Sequence, residues 1–210
     1  YKAVEIPYRI KMDANESPYD LPDGVKKQLA DELLAGSGLN LYPDSESSNL
    51  RESISIYCGV QPENIIVGAG SDELIQVIVN AFIDKGDVVL YPDPSFGMYA
   101  IFTSIAGGIS VEVPLKEDFS YDMKGFYKAI EQYKPKLIFI CTPNNPTGNT
   151  VDLDELHELL KNFRGIVVVD EAYGEFCGSS VTEQVIEYPN AVVLKTFSKA
   201  MGLAGLRVGY

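Results

Sequence analysis

Two lysines stand four residues apart in KTFSKAMGLAGLRVGY, Lys195 and Lys199, and no acidic residue follows them. A lysine amine becomes a nucleophile when a largely apolar site lowers its pKa, and its usual product with a carbonyl is a Schiff base. Other reactive residue types lie at a distance in the chain: Asp170 in VVVDEAY, Tyr173 three residues on, Asn145 in TPNNPTG, and Arg207 eight residues after Lys199. In GAGSDE, two glycines precede Ser71 and Asp72. That spacing suits a strand-to-helix turn whose free N–H groups, with the serine hydroxyl, can seat an anion.

Each residue also has a plainer reading. Ser71 and Asp72 could only cap a helix, Asp170 could end a strand, and Asn145-Pro146 could be a turn closed by Gly148. Tyr173 could be a packing residue and Arg207 could pair with a surface acid. Rival chemistries lack their residues. The single histidine, His157, sits among Leu156, Leu159 and Leu160 on a helical pattern and reads as a surface or boundary residue. There is no GxxxxGK[ST], HExxH or GxSxG pattern. A nicotinamide-dinucleotide fingerprint fits poorly, because Glu73 stands where the third glycine belongs and no acid ends VVLY. Cys58, Cys141 and Cys177 are too few and scattered for a disulfide framework or a zinc site, and no metal is expected. They read as core or near-core thiols of a reducing compartment, the cytoplasm. A net charge of −13 argues against a nucleic-acid surface. No apolar run reaches the length of a membrane span, no secretory signal opens the sequence, and the sequon at Asn15 reads as chance.

The elements that must position these residues show from Ile65 onward. Apolar runs IIV, VVLY, VEV, KLIFIC, IVVV and AVVL alternate with amphipathic helical segments. Continuous apolar strands between helices imply a mostly parallel sheet covered on both faces, a doubly wound α/β domain. Ligands bind outside the carboxyl ends of such strands. GAGSDE, PDPSF, TPNNPTG, DEAY and KTFSK all fall there. One amine, one strand-end carboxylate and one anion seat are what pyridoxal phosphate asks of a protein. Earlier in the chain, VKKQLADELLAG places Val25, Leu29, Leu33 and Leu34 at helical spacing, and a second helix with Leu50, Ile54 and Tyr57 on one face stops at Gly59.

The motifs YPD, GAGSDEL, DPSFGMY, TPNNPTG, VVDEAY and TFSKAMGLAGLRVGY resemble, in order and spacing, those of the fold type I pyridoxal-phosphate aminotransferases. Within these, the chain is most similar to the histidinol-phosphate aminotransferase group, whose N-terminal segment MDANESPYDLP also resembles. The resemblance implies a three-layer α/β/α large domain over 41–210, an arm over 1–40 associated with a small domain, and a homodimer. It implies Lys199 as Schiff-base lysine and proton carrier, Asp170 on the ring nitrogen, and Tyr173 and Asn145 on the phenolic oxygen. Phe96 would stack on the ring, and Ser71, Asp72, Thr196, Ser198 and Arg207 would receive the phosphate, with Tyr42 reaching the neighbouring subunit's phosphate. The implied reaction moves an amino group from L-histidinol phosphate to 2-oxoglutarate, yielding imidazole-acetol phosphate and L-glutamate. Threonine-phosphate decarboxylase-like and aromatic aminotransferase-like activities stay open, as does a non-catalytic cofactor-binding or dimerisation fragment. Family members continue past RVGY into a small C-terminal domain that carries the arginine clamping the substrate carboxylate. The sequence is therefore expected to be C-terminally truncated, poorly active, and to expose apolar surface. RVGY is expected to run antiparallel in the sheet, and Lys195 to lie along a strand surface with its ammonium in solvent.

Overall fold

Short runs of β-branched and aromatic residues build one sheet. Val88–Asp93 (β1), Ile109–Pro114 (β2), Leu137–Cys141 (β3), Ile166–Asp170 (β4) and Ala191–Leu194 (β5) pair in the order β2-β1-β3-β4-β5, every pairing parallel. The computed structural model describes residues 7–36, 38–178 and 180–210. Helices intervene at Asp23–Gly36 (α1), Ser48–Cys58 (α2), Ser71–Phe82 (α3), Met98–Ile105 (α4), Met123–Tyr133 (α5), Leu153–Asn162 (α6), Gly174–Cys177 (α7) and Thr182–Val185 (α8).

The pleat sends successive side chains to opposite faces, and β3 is buried at every position. Leu137, Phe139 and Cys141 join Leu74, Ile75 and Val79 of α3 and Tyr99 and Phe102 of α4. Ile138 and Ile140 join Phe126 of α5 and Leu156 and Leu159 of α6 on the other side. Each such side chain contributes about 1.5–3 kcal/mol by leaving water. The result is the three-layer α/β/α arrangement expected from the sequence. After β1 the chain moves outward to β2, then crosses back past β1 to add β3, β4 and β5 in turn. That reversal leaves a crevice between the carboxyl ends of β1 and β3.

Three details differ from the sequence reading. Ile65–Val67 forms no ladder; pairing starts at Gly68, which exchanges two 3.0 Å backbone bonds with Gly209. The RVGY segment does run antiparallel, but through isolated bridges: Lys195 and Tyr210 exchange bonds of 2.7 and 3.0 Å, and the Phe197 N–H donates to Val208 O at 3.1 Å. A 3-10 turn over Ala204–Leu206 precedes the segment, whose first residue, Arg207 at φ 52°, departs from extended backbone. Second, β1 runs two residues beyond VVLY and does end on an acid, Asp93, which is exposed. Third, Cys141 is buried and Cys58 half-buried, but Cys177 is exposed rather than near-core. It sits at the end of the single surface turn α7, its Sγ donating to Gly174 O at 3.1 Å.

The two early helices form as expected. Gly59, at φ 70°, ends α2 and donates its N–H to Ser55 O, and Ile54 is buried. α1 buries none of its residues, and Leu33 and Leu34 are 58% and 85% exposed. Of the arm expected over 1–40, residues 1–6 and 37 lie outside the described residues. His157 is the boundary residue its pattern implied, half-buried with Nδ1 3.0 Å from the Tyr188 hydroxyl. No helix among the described residues is long and apolar enough to cross a membrane. Among the same residues no cluster of His, Cys, Asp and Glu could hold a metal ion.

Candidate active site

The strand-end loops enclose a cleft of about 680 Å³. Ser71 and Asp72 enter it from α3, Phe96 from the loop after β1, Asn145 from the loop after β3. Asp170 and Tyr173 come from the end of β4, and Thr196, Ser198, Lys199 and Arg207 from the segment after β5. Every residue that the resemblance implies for the cofactor site lines this cleft except Tyr42, which is fully exposed ahead of α2.

One end of the cleft is built for an anion. Gly70, not a side chain, occupies the N-cap of α3, so Ser71 takes the first helical position and its hydroxyl is not spent on capping. The first-turn N–H groups have no acceptor within the helix. Gly70 has φ 87°, in the positive range that favours glycine, and a Cβ there would stand 2.5 Å from Arg207 Nη2 and push the guanidinium aside. Arg207 Nη1 lies 3.5 Å from Ser198 Oγ and its Nη2 lies 3.5 Å from Asp72. The Arg207–Asp72 pair is half-exposed, so it contributes at most about 1 kcal/mol and yields readily to a doubly charged ligand. Thr196 and Ser198 are buried and bonded to each other, hydroxyl to hydroxyl at 3.0 Å.

The floor of the cleft is a buried carboxylate. Asp170 is 3% exposed. Its Oδ1 accepts the Ala172 N–H at 3.0 Å and its Oδ2 accepts the Tyr99 hydroxyl at 2.7 Å. Burial pushes its pKa above the usual aspartate value, and these two donors pull it partly back. The amine stands opposite. Lys199 is half-buried, and that burial holds its pKa below the ordinary lysine value, with Asp72 and Glu16 offsetting part of the effect.

Asp13, Ala14, Asn15 and Glu16, to which the MDANESPYDLP resemblance assigned no role, line the same cleft. Lys199 Nζ donates to Ala14 O at 2.8 Å, and Asn15 Nδ2 donates to the Tyr173 hydroxyl at 3.0 Å. Burial raises the pKa of Tyr173 and the Asn15 bond lowers it in part. The available signal was Asn15 ahead of a Ser-Pro pair, a turn-former that here adopts φ 50°.

Lys195 corrects an expectation. It is not in solvent but 4% exposed, with Nζ 3.2 Å from Glu171 and 2.9 Å from Glu175. The reason is alternation along extended chain. Asp170 and Thr196 face the cleft, so their neighbours Glu171 and Lys195 face away and meet each other. Glu171 also accepts the Val181 N–H at 2.7 Å, tying the strand ends to the start of α8.

Asn144 organises two loops at once, which its neighbour Asn145 obscured. Its Nδ2 donates to Pro94 O at 2.9 Å and to Thr147 Oγ1 at 2.6 Å, and its Oδ1 accepts the Ser95 hydroxyl at 2.6 Å. Asn144→Ala is expected to cost about 2–3 kcal/mol, near 1 kcal/mol per lost bond, measured as a lowered midpoint in urea with unchanged m.

Comparison with known proteins agrees with this geometry. Residues 8–210 match the family described as aminotransferase class I and II. The histidinol-phosphate aminotransferase of Thermoanaerobacter sp. (strain X514) is 51% identical over 210 residues, covering all of this chain and 60% of that one. The chain thus spans about 60% of the length of the curated relatives it matches. Among solved structures, it is similar to histidinol-phosphate aminotransferase from Sinorhizobium meliloti in complex with pyridoxal-5′-phosphate, with a TM-score of 0.84 and 28% identity over 93% of this chain and 54% of that one. It is also similar to the aromatic aminotransferase of Pyrococcus horikoshii OT3, with a TM-score of 0.82 and 27% identity over 93% and 56% of the two chains.

Proposed function

Because the chain belongs to the class I and II aminotransferase family, we propose that its cleft holds pyridoxal 5′-phosphate and serves amino transfer from L-histidinol phosphate to 2-oxoglutarate. The observation that carries this reading is the single cleft in which Lys199, the buried Asp170 and the anion seat meet. The substrate assignment adds the 51% identity to a histidinol-phosphate aminotransferase over all 210 residues. A second reading, an aromatic amino donor, is favoured by the similarity to the aromatic aminotransferase structure. The protein would work in the cytoplasm with small-molecule substrates.

The residues present fit the cofactor. Ser71, Thr196, Ser198, Arg207 and the N–H of Asp72 would hold its phosphate, and Phe96 would supply an apolar wall for its ring. Asp170 would face the ring nitrogen, and Asn145 and Tyr173 the phenolic oxygen. When bound, the cofactor supplies a carbonyl carbon for the amino group and an electron-withdrawing ring. Lys199 would hold the cofactor through its amine and, once a substrate amine has displaced it, would carry the proton that leaves and returns at the substrate's α-carbon. Asp170, a carboxylate whose pKa is raised by burial, would hold a proton on the ring nitrogen. We further propose that residues 1–40 act as an arm, supported by an α1 that buries none of its residues. Tyr42, fully exposed and outside its own cleft, would complete the phosphate seat of a second copy in a homodimer.

Glutamate formation from L-histidinol phosphate and 2-oxoglutarate tests the reaction, and turnover confined to aromatic donors would replace it with the second reading. The Lys199 pKa gives a separate result. Because burial depresses it, the rate of pyridoxal-phosphate capture should rise with pH and level off below the ordinary lysine value of 10.5. A plateau at or above that pH would contradict the assignment. Mixing Tyr42→Ala with Lys199→Ala chains should give more activity than either alone, since a mixed dimer has one site with both residues intact. No gain on mixing would remove Tyr42 from the site.

A further inference from the structure

Tyr99 takes no part in the site as read from the sequence, yet its hydroxyl is bonded to the carboxylate on which that site depends. The ring is fully buried on the face of the sheet covered by α3 and α4. It stacks on Phe139 with centroids 4.4 Å apart and planes 11° from parallel, and it meets Phe96 edge-on at 5.6 Å. A buried tyrosine hydroxyl needs a partner, and this one donates to Asp170 Oδ2 at 2.7 Å, with the Cys141 thiol also close by.

We propose that Tyr99 is the positioning residue for Asp170: it sets the rotation and the charge of the carboxylate that faces the ring nitrogen. This rests on the cofactor reading given above. The Ala172 N–H holds Oδ1 and the Tyr99 hydroxyl holds Oδ2, so each oxygen has a donor and the plane of the group is defined. Neither donor can swing away. Ala172 is two residues along the same chain, and Tyr99 is clamped between Phe139 and Phe96. Phe96, in the loop after β1, and Tyr99, in the first turn of α4, are three residues apart, so one short segment delivers both the apolar wall of the cleft and the anchor of its carboxylate. The other titratable groups around Asp170 are Cys141 at the end of β3, Tyr121, Tyr173, Asp72 at the start of α3, and the adjacent Glu171. Burial first, and then the carboxylates of Asp72 and Glu171, disfavour charge on Asp170, and the Tyr99 hydroxyl opposes them. Burial also keeps the Tyr99 hydroxyl protonated far into the alkaline range, so it stays a donor.

The test is Tyr99→Phe in the whole chain, which keeps the ring stack and removes only the donor. Without cofactor, the Asp170 carboxyl, followed by carbon NMR of labelled aspartate, should titrate at higher pH than in the parent. The melting temperature should fall by about 5 °C at neutral pH, and the gap should close as acid protonates Asp170 in both chains. Pyridoxal phosphate should bind about tenfold more weakly. In an Asp170→Asn background, Tyr99→Phe should add no further loss of cofactor affinity. Site-specific 3-fluorotyrosine at position 99, a stronger donor of the same shape, should move the Asp170 titration the opposite way, which covers a Phe variant that melts too early to assay. An unchanged Asp170 titration in both variants, or losses that simply add to those of Asp170→Asn, would overturn the proposal. If the parent binds no pyridoxal phosphate, the cofactor reading fails, and the cofactor-free titration still decides the role of Tyr99.

Discussion

Lys199→Ala should leave no pyridoxal phosphate fixed to the chain after borohydride reduction, whereas the parent should carry it on one peptide containing Lys199. Amino transfer should fall by about 10⁴-fold, the upper end for losing a positioned acid–base group, because the covalent anchor goes with it. The geometry favours Lys199 over Lys195. Lys199 lines the cleft with a depressed pKa, giving it a larger neutral fraction at working pH. Lys195 faces the other way and is held as an ammonium. Burial alone would push it toward the neutral amine, but Glu171 and Glu175 together keep its pKa above the ordinary value. The structure also selects the control. Lys195→Arg retains a cation between the two carboxylates, carries no amine to label, and should be fixed at Lys199 as fully as the parent. Label lost in Lys195→Arg and kept in Lys199→Ala would reverse the assignment.

Lys195→Met should be the most damaging change to stability, lowering it by about 3–5 kcal/mol. The size follows from what is left behind. Glu171 has its side chain 2% exposed and Glu175 14%. Without the ammonium, two carboxylates would sit in a poorly solvated pocket with no cation between them. Removing the acids as well, in Lys195→Met with Glu171→Gln and Glu175→Gln, should recover much of the loss, because the burden lies in the unpaired charges. The sign with pH is set by the raised Lys195 pKa. The stabilisation is complete below the unfolded value of 10.5 and disappears as pH rises through the higher folded value. The penalty for Lys195→Met, read from denaturant midpoints, should therefore be steady at neutral pH and shrink at strongly alkaline pH. A penalty below about 1 kcal/mol at neutral pH would mean that water reaches the cluster.

Much of the site was legible because its residues are consecutive with strand ends. Once VVVD, KLIFIC and AVVL read as buried parallel strands, Asp170, Asn145 and Lys199 had to fall on one edge, and they do. Ser71 lines the cleft with its hydroxyl free of capping, a point the sequence left undecided, since Gly70 rather than Ser71 is the cap. What escaped reading was contact between distant segments. Nothing in FGMY says that its tyrosine reaches Asp170, 71 positions away. Nothing in ANES says that Asn15 meets Tyr173. In the doubled asparagine of TPNNPTG, the residue that ties the loops together is Asn144, while Asn145 faces the cleft.

Apart from Ile65–Val67, which forms no ladder, periodicity determined by itself the strands of the sheet and the longer helices, and with them the α/β class and the edge where the polar loops gather. Those properties depend on local spacing and on the alternation of apolar runs with amphipathic ones. Only the tertiary structure decided the direction and the partners of each polar side chain. Lys195 and Lys199 are both lysines after one strand, and their different fates come from the face each presents: two buried carboxylates on one side, a cleft with a half-buried amine on the other. A charge's chemistry is set by the groups within a few ångströms and by the water it has lost. Both are properties of the packed chain.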